Sequence, residues 1–291
     1  MTSPPNRENK LSPLRVHPAL LYVSQIMKFG FCTGVENAPT IARLGYDYIE
    51  FTVVGALKPQ ENDSSHLDSL NQSLNEAGLR AEAFNVLLPG NLRVTGPTVD
   101  PAAQKAYLET AFQRAAALGG KVVVFGSGGA RSVPEGYDRE KAWEEIRAFL
   151  SIAADAASAN GICLVIEPLN HKECNILNSV AEAVEMAKQV NRPEAVAVLS
   201  DLYHVTVDEQ SFEETAEAAK LGLLRHVHVA CTVERRVPIE EDLDVLIRYF
   251  SAFKKYGYEG RISIEAGAKD FEADAKRGLE LMLQAWEKAS A

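Results

Sequence analysis

The chain has 291 residues, 46% hydrophobic and 24% charged, with a formal net charge of −10. That balance describes a well-cored globular protein and argues against a broad nucleic-acid surface, which needs a basic footprint. No apolar run approaches the roughly 18 residues that cross a bilayer, and Cys32, Cys163, Cys174 and Cys231, with no CxxC spacing, read as reduced thiols of a cytoplasmic protein.

Residues 1–26 read as an N-terminal extension. Met1 to Arg15 is rich in Pro, Asn and Ser and is expected to be disordered; it lacks the apolar core and cleavage pattern of a secretory signal. Leu20-Leu21-Tyr22-Val23 is expected to pack against the domain. From 27 to 291 short β-branched runs alternate with longer helical patterns, the mark of a parallel sheet with crossover helices. Strands are predicted at Lys28–Cys32, Tyr46–Phe51, Ala81–Asn85, Lys121–Phe125, Ile162–Glu167, Val196–Asp201, His226–Val229 and Arg261–Glu265. The helix after the first strand, about 36–43, is short. Residues 64–78 end at Gly78, and 101–118 open after Asp100 with Pro101, a capping residue followed by a first-turn proline. Residues 138–159 carry Trp143, Ile146, Leu150 and Ala153 at helical spacing and stop at Asn160-Gly161. Further helices fall near 178–190, 211–221, 240–257 and 270–288. Near-continuous apolar strands such as Val122-Val123-Val124-Phe125 fit a sheet covered on both faces. A doubly wound sheet is the alternative, but eight such units favour a single (β/α)8 TIM barrel over 27–291.

Four side chains end four successive apolar runs: Glu167 after Leu164-Val165-Ile166, Asp201 after Val198-Leu199-Ser200, His228 in His226-Val227-His228, and Glu265 after Ile262-Ser263-Ile264. They lie 34, 27 and 37 residues apart, each gap about one strand–helix unit. In a barrel the C-terminal strand ends converge, so these residues would meet at one mouth. Singly, each is a common strand-end hydrogen-bonding group; together they describe a metal site. Three carboxylates and an imidazole suit one Mn²⁺, Mg²⁺ or Co²⁺ ion, with Zn²⁺ admissible, and leave coordination positions for a diol or hydroxyketone. His226 shares the parity of His228 and sits deeper.

Other residues admit two readings. His204, three after Asp201, is either a substrate contact or a loop histidine. Glu50, near the end of the second strand, either supports a ligand or substrate or is structural. Glu173, taken alone, is a solvated loop carboxylate. The Gly126-Ser127-Gly128-Gly129-Ala130-Arg131 loop could cradle a phosphate or owe its glycines to positive φ.

Over about residues 27–288 this pattern resembles the xylose-isomerase-like barrel superfamily, and within it the ketose 3-epimerase and hydroxypyruvate-isomerase-like sugar isomerases. The resemblance puts the metal set on Glu167, Asp201, His228 and Glu265. It puts a supporting glutamate on Glu173, a substrate-binding histidine on His204 and a sugar-binding arginine on Arg235. At the last position the chain departs from the pattern: Cys231-Thr232-Val233-Glu234 runs one residue longer and lacks a Gly-Glu pair. The implied activity is a divalent-metal-dependent isomerase or epimerase of carbohydrate metabolism, acting on a ketose or related sugar through a metal-stabilised enediolate. Glu167 and Glu265 would be its acid/base pair, Glu173 would tune Glu167, and His204 and Arg235 would hold hydroxyls. The implied partner is a small-molecule sugar, with no nucleic acid, membrane or organic cofactor; dimers or tetramers are common in the resembling family. Within the same superfamily the alternatives are a lyase or dehydratase acting on an inosose or keto-glycoside, and an apurinic endonuclease. The latter uses extra histidines, yet only His17 and His66 precede residue 171 and neither ends a strand. A non-catalytic sugar-binding barrel is the remaining alternative, and it would have no need of an acid/base pair.

Overall fold

The computed structural model describes residues 27–290; the extension 1–26, with its apolar stretch at 20–23 and His17, lies outside the described residues. The element order is β1 (Lys28–Cys32), α1 (Ala38–Leu44), β2 (Tyr48–Thr52), α2 (Ser65–Ala77), β3 (Ala81–Asn85), α3 (Pro101–Ala117), β4 (Val122–Phe125), α4 (Gly128–Arg131), α5 (Arg139–Asn160), β5 (Cys163–Ile166), α6 (Val180–Val190), β6 (Val196–Asp201), α7 (Leu202–Val207), α8 (Glu213–Lys220), β7 (Leu224–Val229), α9 (Leu243–Lys254), β8 (Arg261–Ile264) and α10 (Phe271–Lys288). All eight strands are parallel, each pairs with the next, and β8 closes on β1. This is the (β/α)8 barrel that the alternation predicts.

Strand parity divides the core in two. Tyr48, Ala83, Val122, Val124, Val165, Ala197 and Leu199 fill the barrel interior, while the alternate residues pack under the helices. Gly30 in β1 makes room for that filling, since a Cβ there would lie 2.3 Å from the Tyr48 ring. Caps start the helices where the sequence places them. Asp100 accepts from the Ala102 and Ala103 amides, Asp138 from Lys141, Ser179 from Glu182 and Asp270 from Ala273. Helices α9 and α10 are joined by an aromatic cluster of Tyr249, Phe250, Phe253 and Trp286.

The boundaries shift where side chains compete with the ladder. β2 starts at Tyr48, later than expected, because Asp47 turns its carboxylate to accept from the Phe29 amide and Tyr46 donates its hydroxyl to the Ala275 carbonyl. β5 and β8 end one residue before Glu167 and Glu265, yet the Glu167 amide still bonds to Phe125 and the Glu265 amide to Val229. The predicted sixth crossover is in fact two helices, α7 and α8, and the segment after β4 forms α4.

Candidate active site

The inward parity at the C-terminal strand ends brings Cys32, Glu50, Asn85, Gly126, Glu167, Asp201, His228 and Glu265 to one mouth. The donor atoms of Glu167, Asp201, His228 and Glu265 all lie within 4.8 Å of one another. His228 Nδ1 is 3.3 Å from a Glu167 oxygen and 3.4 Å from a Glu265 oxygen. Asp201 caps α7: one carboxylate oxygen accepts from the Tyr203 amide at 2.8 Å, and the other, buried, has no hydrogen-bond partner. A buried carboxylate oxygen left without a donor, facing two further carboxylates and an imidazole nitrogen, is what a divalent cation would satisfy. The residues therefore fit such an ion.

Glu50 resolves in favour of support. It is buried, and its two oxygens meet the Nε2 atoms of His226 and His228 at 2.9 Å each, while Ser263 Oγ donates to it at 2.6 Å. With Nε2–H of His228 held by Glu50, Nδ1 faces the carboxylate cluster, and losing its proton to an incoming cation would leave the tautomer a ligand needs. His226 also reaches the Arg261 carbonyl through Nδ1 at 3.1 Å, so it braces Glu50 from below. Burial would raise Glu50, but the two facing imidazoles outweigh it and hold the carboxyl well below the usual range.

The other predicted residues surround this centre. His204, buried on α7, accepts at Nδ1 from the Asn170 amide (3.1 Å), with the Asn170 side-chain nitrogen 2.8 Å away. Two donors on one nitrogen fix the other tautomer: Nε2 carries the proton, lacks a partner and stands 3.6 Å from Asp201. Burial, followed by the Arg235 charge, lowers its pKa to about 3, so it is a neutral donor. Arg235 reaches Glu265, lies 3.8 Å from Asp201 and 3.7 Å from Glu173, and stacks 4.7 Å over Tyr203. The longer loop delivers it by a strained turn: Glu234 and Arg235 both have positive φ, 60° and 44°. Cys231, Arg236 and Asp242 tie that loop together. Glu173 accepts from Asn170 Nδ2 at 3.0 Å and faces Arg235 at 3.7 Å, the guanidinium that also reaches Asp201 and Glu265.

The glycine-rich loop does not owe its glycines to positive φ. Arg131 turns inward, fully buried, and donates to the carbonyls of Phe125, Glu167 and Leu177, while Ser127 Oγ accepts from the Leu88 amide. Its glycines have ordinary φ; they are there for close approach. A Cβ on Gly126 would lie 1.7 Å from a Glu167 oxygen, and one on Gly128 2.9 Å from Leu169. Nothing in the sequence marked Arg131 or Asn170 as belonging to the site. Asn85 was legible by parity, as the last inward residue of the third strand.

Burial and mutual repulsion set the charges. Burial raises Glu167, with Glu265 adding to the rise, and burial with Glu167 and Glu265 pushes Asp201 up to about 7. His228, opposed by burial but faced by Glu50 and Glu265, is raised well above the usual histidine value.

A family model for the xylose isomerase-like TIM barrel matches residues 39–285. The chain belongs to that family. Within it, the chain is 31% identical over 204 residues to D-psicose 3-epimerase of Agrobacterium fabrum, covering 68% of this chain and 67% of the relative. It is 30% identical over 231 residues to L-ribulose 3-epimerase of a Methylomonas species, covering 77% and 75%. In structure it resembles D-psicose 3-epimerase of Clostridium cellulolyticum, solved with D-tagatose, with a TM-score of 0.77 at 19% identity over 89% of this chain and 99% of the other. The last likeness is one of fold.

Three outcomes follow from this xylose isomerase-like mouth. Glu50→Gln keeps the fold but weakens Mn²⁺ binding roughly 10- to 100-fold by calorimetry; unchanged affinity would refute the role given to Glu50. Gly126→Ala displaces Glu167 and lowers any sugar turnover by roughly 10²-fold, while its circular dichroism stays that of the parent. The third concerns pH. Asp201 in the folded state lies far above its unfolded value, so its contribution to stability is complete at acid pH and is lost as pH rises through about 7. The melting temperature of the metal-free protein therefore falls between about pH 4 and pH 7, from the unfolded to the folded value of Asp201. Mn²⁺ at a hundred times its Kd adds about 2.7 kcal/mol, with the larger melting shift at the higher pH because the ion competes with protons. A melting curve indifferent to Mn²⁺ at both pH values contradicts the site.

Proposed function

We propose that this protein is a divalent-metal-dependent epimerase or isomerase of a ketose or related sugar. The observation that carries the reading is the buried convergence of Glu167, Asp201, His228 and Glu265 within 4.8 Å. The family relation and the 3-epimerase activities named for its relatives support it. Those four residues would hold the ion. Bound there, a divalent cation supplies Lewis-acid charge beside the substrate carbonyl and makes the adjacent C–H more acidic.

The chain's own residues do the rest. Glu167 follows β5 and Glu265 follows β8, so the two carboxylates approach the mouth from different sides with β6 and β7 between them. One takes the proton from carbon, and the other returns a proton to the opposite face of that carbon, or the first returns it to the neighbouring carbon. The first outcome is epimerisation and the second is aldose–ketose exchange. Asn85 Nδ2, 2.7 Å from Glu265, holds that carboxylate in a fixed orientation. His204 offers its unpartnered Nε2–H to a substrate oxygen, and Arg235, stacked on Tyr203, offers a second donor set on the same side. Both sit where developing negative charge needs preorganised donors. Tyr203, Asn170 and the buried surroundings of Asp201 exclude water from the mouth's floor.

The test is solvent exchange. With Mn²⁺ and a ketohexose in D₂O, the wild-type enzyme incorporates deuterium at the carbon beside the carbonyl. Glu265→Gln, with its circular dichroism unchanged, loses at least about 10³-fold of that exchange. Undiminished exchange in the variant removes Glu265 from the chemistry, and an unsaturated carbonyl product in place of an epimer would make the enzyme a lyase.

A further inference from the structure

The two nitrogens of His228 face different company. Nδ1 looks into the four-residue cluster, whereas Nε2 meets Glu50 Oε1 at 2.9 Å. Beside Glu50 stands a thiol: Cys32 ends β1 and is in register with Glu50 on β2. Cys32, Glu50 and His228 each bring one donor atom to within 4.8 Å of the others, a second group able to hold an ion. The remaining cysteines lie elsewhere. Cys163 opens β5, Cys174 faces Ser132, and Cys231 donates to Asp242.

A thiolate, a carboxylate and an imidazole are the donors of a zinc site with three protein ligands and one open position. Bonds of about 2.3 Å to sulfur and 2.0–2.2 Å to nitrogen and oxygen put tetrahedral donors roughly 3.3 to 3.6 Å apart, so closing on one ion takes shifts of about an ångström. The supports for those ligands are in place. Glu50 Oε2 is held by His226 and Ser263, which leaves Oε1 to the shared side. Asn85 Nδ2 stands 3.8 Å from Cys32 Sγ, where it can steady a thiolate. Cys32 is half-buried and, with Glu50 and Asn85, lines a cavity of about 460 Å³, which gives an ion its way in and the fourth position a water.

We propose that Cys32, Glu50 and His228 form a second, thiophilic metal site, which takes Zn²⁺ through Cys32 Sγ, Glu50 Oε1 and His228 Nε2 and excludes the ion of the four-residue centre. The proton balance produces the exclusion. Zn²⁺ on this side releases the thiol proton and the Nε2 proton to solvent. Nδ1 keeps a proton, turned to Glu167 and Glu265, where the four-residue centre needs a lone pair. The bond from Nε2–H to Glu50 that orients the ring is lost as well. Softness separates the two sites: Mn²⁺ and Mg²⁺ prefer the carboxylates, and Zn²⁺ takes the thiolate. Excess zinc therefore switches off whatever chemistry the harder ion supports, and it does so without touching Asp201.

The experiment titrates the Mn²⁺-loaded full chain with Cd²⁺, a thiophilic probe, and needs no sugar. Two signals are followed: the ultraviolet thiolate-to-cadmium absorption, and the electron paramagnetic resonance of released Mn²⁺. In the wild type the absorption saturates with a single Cd²⁺ per chain as Mn²⁺ leaves, and saturating Cd²⁺ raises the apparent Kd for Mn²⁺ at least about 10-fold. Cys32→Ser, and equally Cys32→Ala, loses the absorption, while its Mn²⁺ affinity stays within about 3-fold of the parent because the hard ion does not use the thiol. Asp201→Asn loses Mn²⁺ binding yet keeps the absorption, since Cd²⁺ sits outside the four-residue centre. Absorption that survives in both Cys32 variants, or that Asp201→Asn abolishes, overturns the thiol site. So does Mn²⁺ release without absorption, which is plain exchange in the four-residue centre, and so does saturation with Mn²⁺ still bound. A parent chain that binds no Mn²⁺ removes the four-residue centre and the exclusion together.

Discussion

Three carboxylates and an imidazole are forced together at the floor of a barrel mouth that water scarcely reaches, and the mutual repulsion of those carboxylates governs the rest of the site. Two like charges about 4 Å apart repel by about 4 kcal/mol at an effective dielectric of 20. The structure spreads counter-charge around them. His228 lies between Glu167 and Glu265, Arg235 reaches across to Glu265 and Asp201, and Asp201 itself is raised to about 7. A group of acids held this way is a poor arrangement for stability alone and a good one for gripping a hard cation.

Holding the cluster together requires rigid supports drawn from all around the barrel. Glu50 on β2 fixes the ring of His228 on β7 from across the interior, and His226 and Ser263 fix Glu50 in turn. Arg131 on α4 spends a buried charge on three main-chain carbonyls, among them that of Glu167, so the first carboxylate is anchored through its own backbone. Gly126 contributes by absence, leaving the space that the Glu167 carboxylate fills. The Arg235 side is built differently: Arg235 arrives on a loop with two left-handed non-glycine residues, and His204 Nε2 has no partner among the described residues. The supports stand on strands and on α4, while Arg235 and His204 come from the segments beyond β7 and β6, where this architecture carries its function.

The two flanks of the mouth contrast in chemistry. On the β5–β7 side stand the donors, Arg235 and His204, with Asn170 and Tyr203 behind them. On the β1–β3 side the walls turn apolar, with Val35, Phe51, Ala56 and Leu70 among the described residues that line them. A molecule with clustered oxygens at one end and a mostly hydrocarbon-faced chain at the other fits that polarity.

Much of this was readable along the chain because it depends on short-range periodicity. Alternation of parity within a strand and one strand–helix unit per 27 to 37 residues are local facts. They were enough to place Glu167, Asp201, His228 and Glu265 at one end of a closed sheet, and to put His226 beneath His228. Loop folding was not local. Whether Glu173 would meet Glu167 or Arg235, and whether Gly126–Arg131 would bind an anion or pack against a neighbouring strand, depended on segments 30 to 60 residues away, with no period to betray them. So too with Asn85, whose inward direction follows from strand parity but whose nitrogen meets Glu265, 180 residues later, only in the closed barrel. The backbone repeat was enough to say at which end of the barrel Glu167, Asp201, His228 and Glu265 gather, since side-chain direction follows from it. Which partner each group keeps emerged with the closed barrel, since hydrogen bonds are satisfied by whatever distant segments it brings within reach.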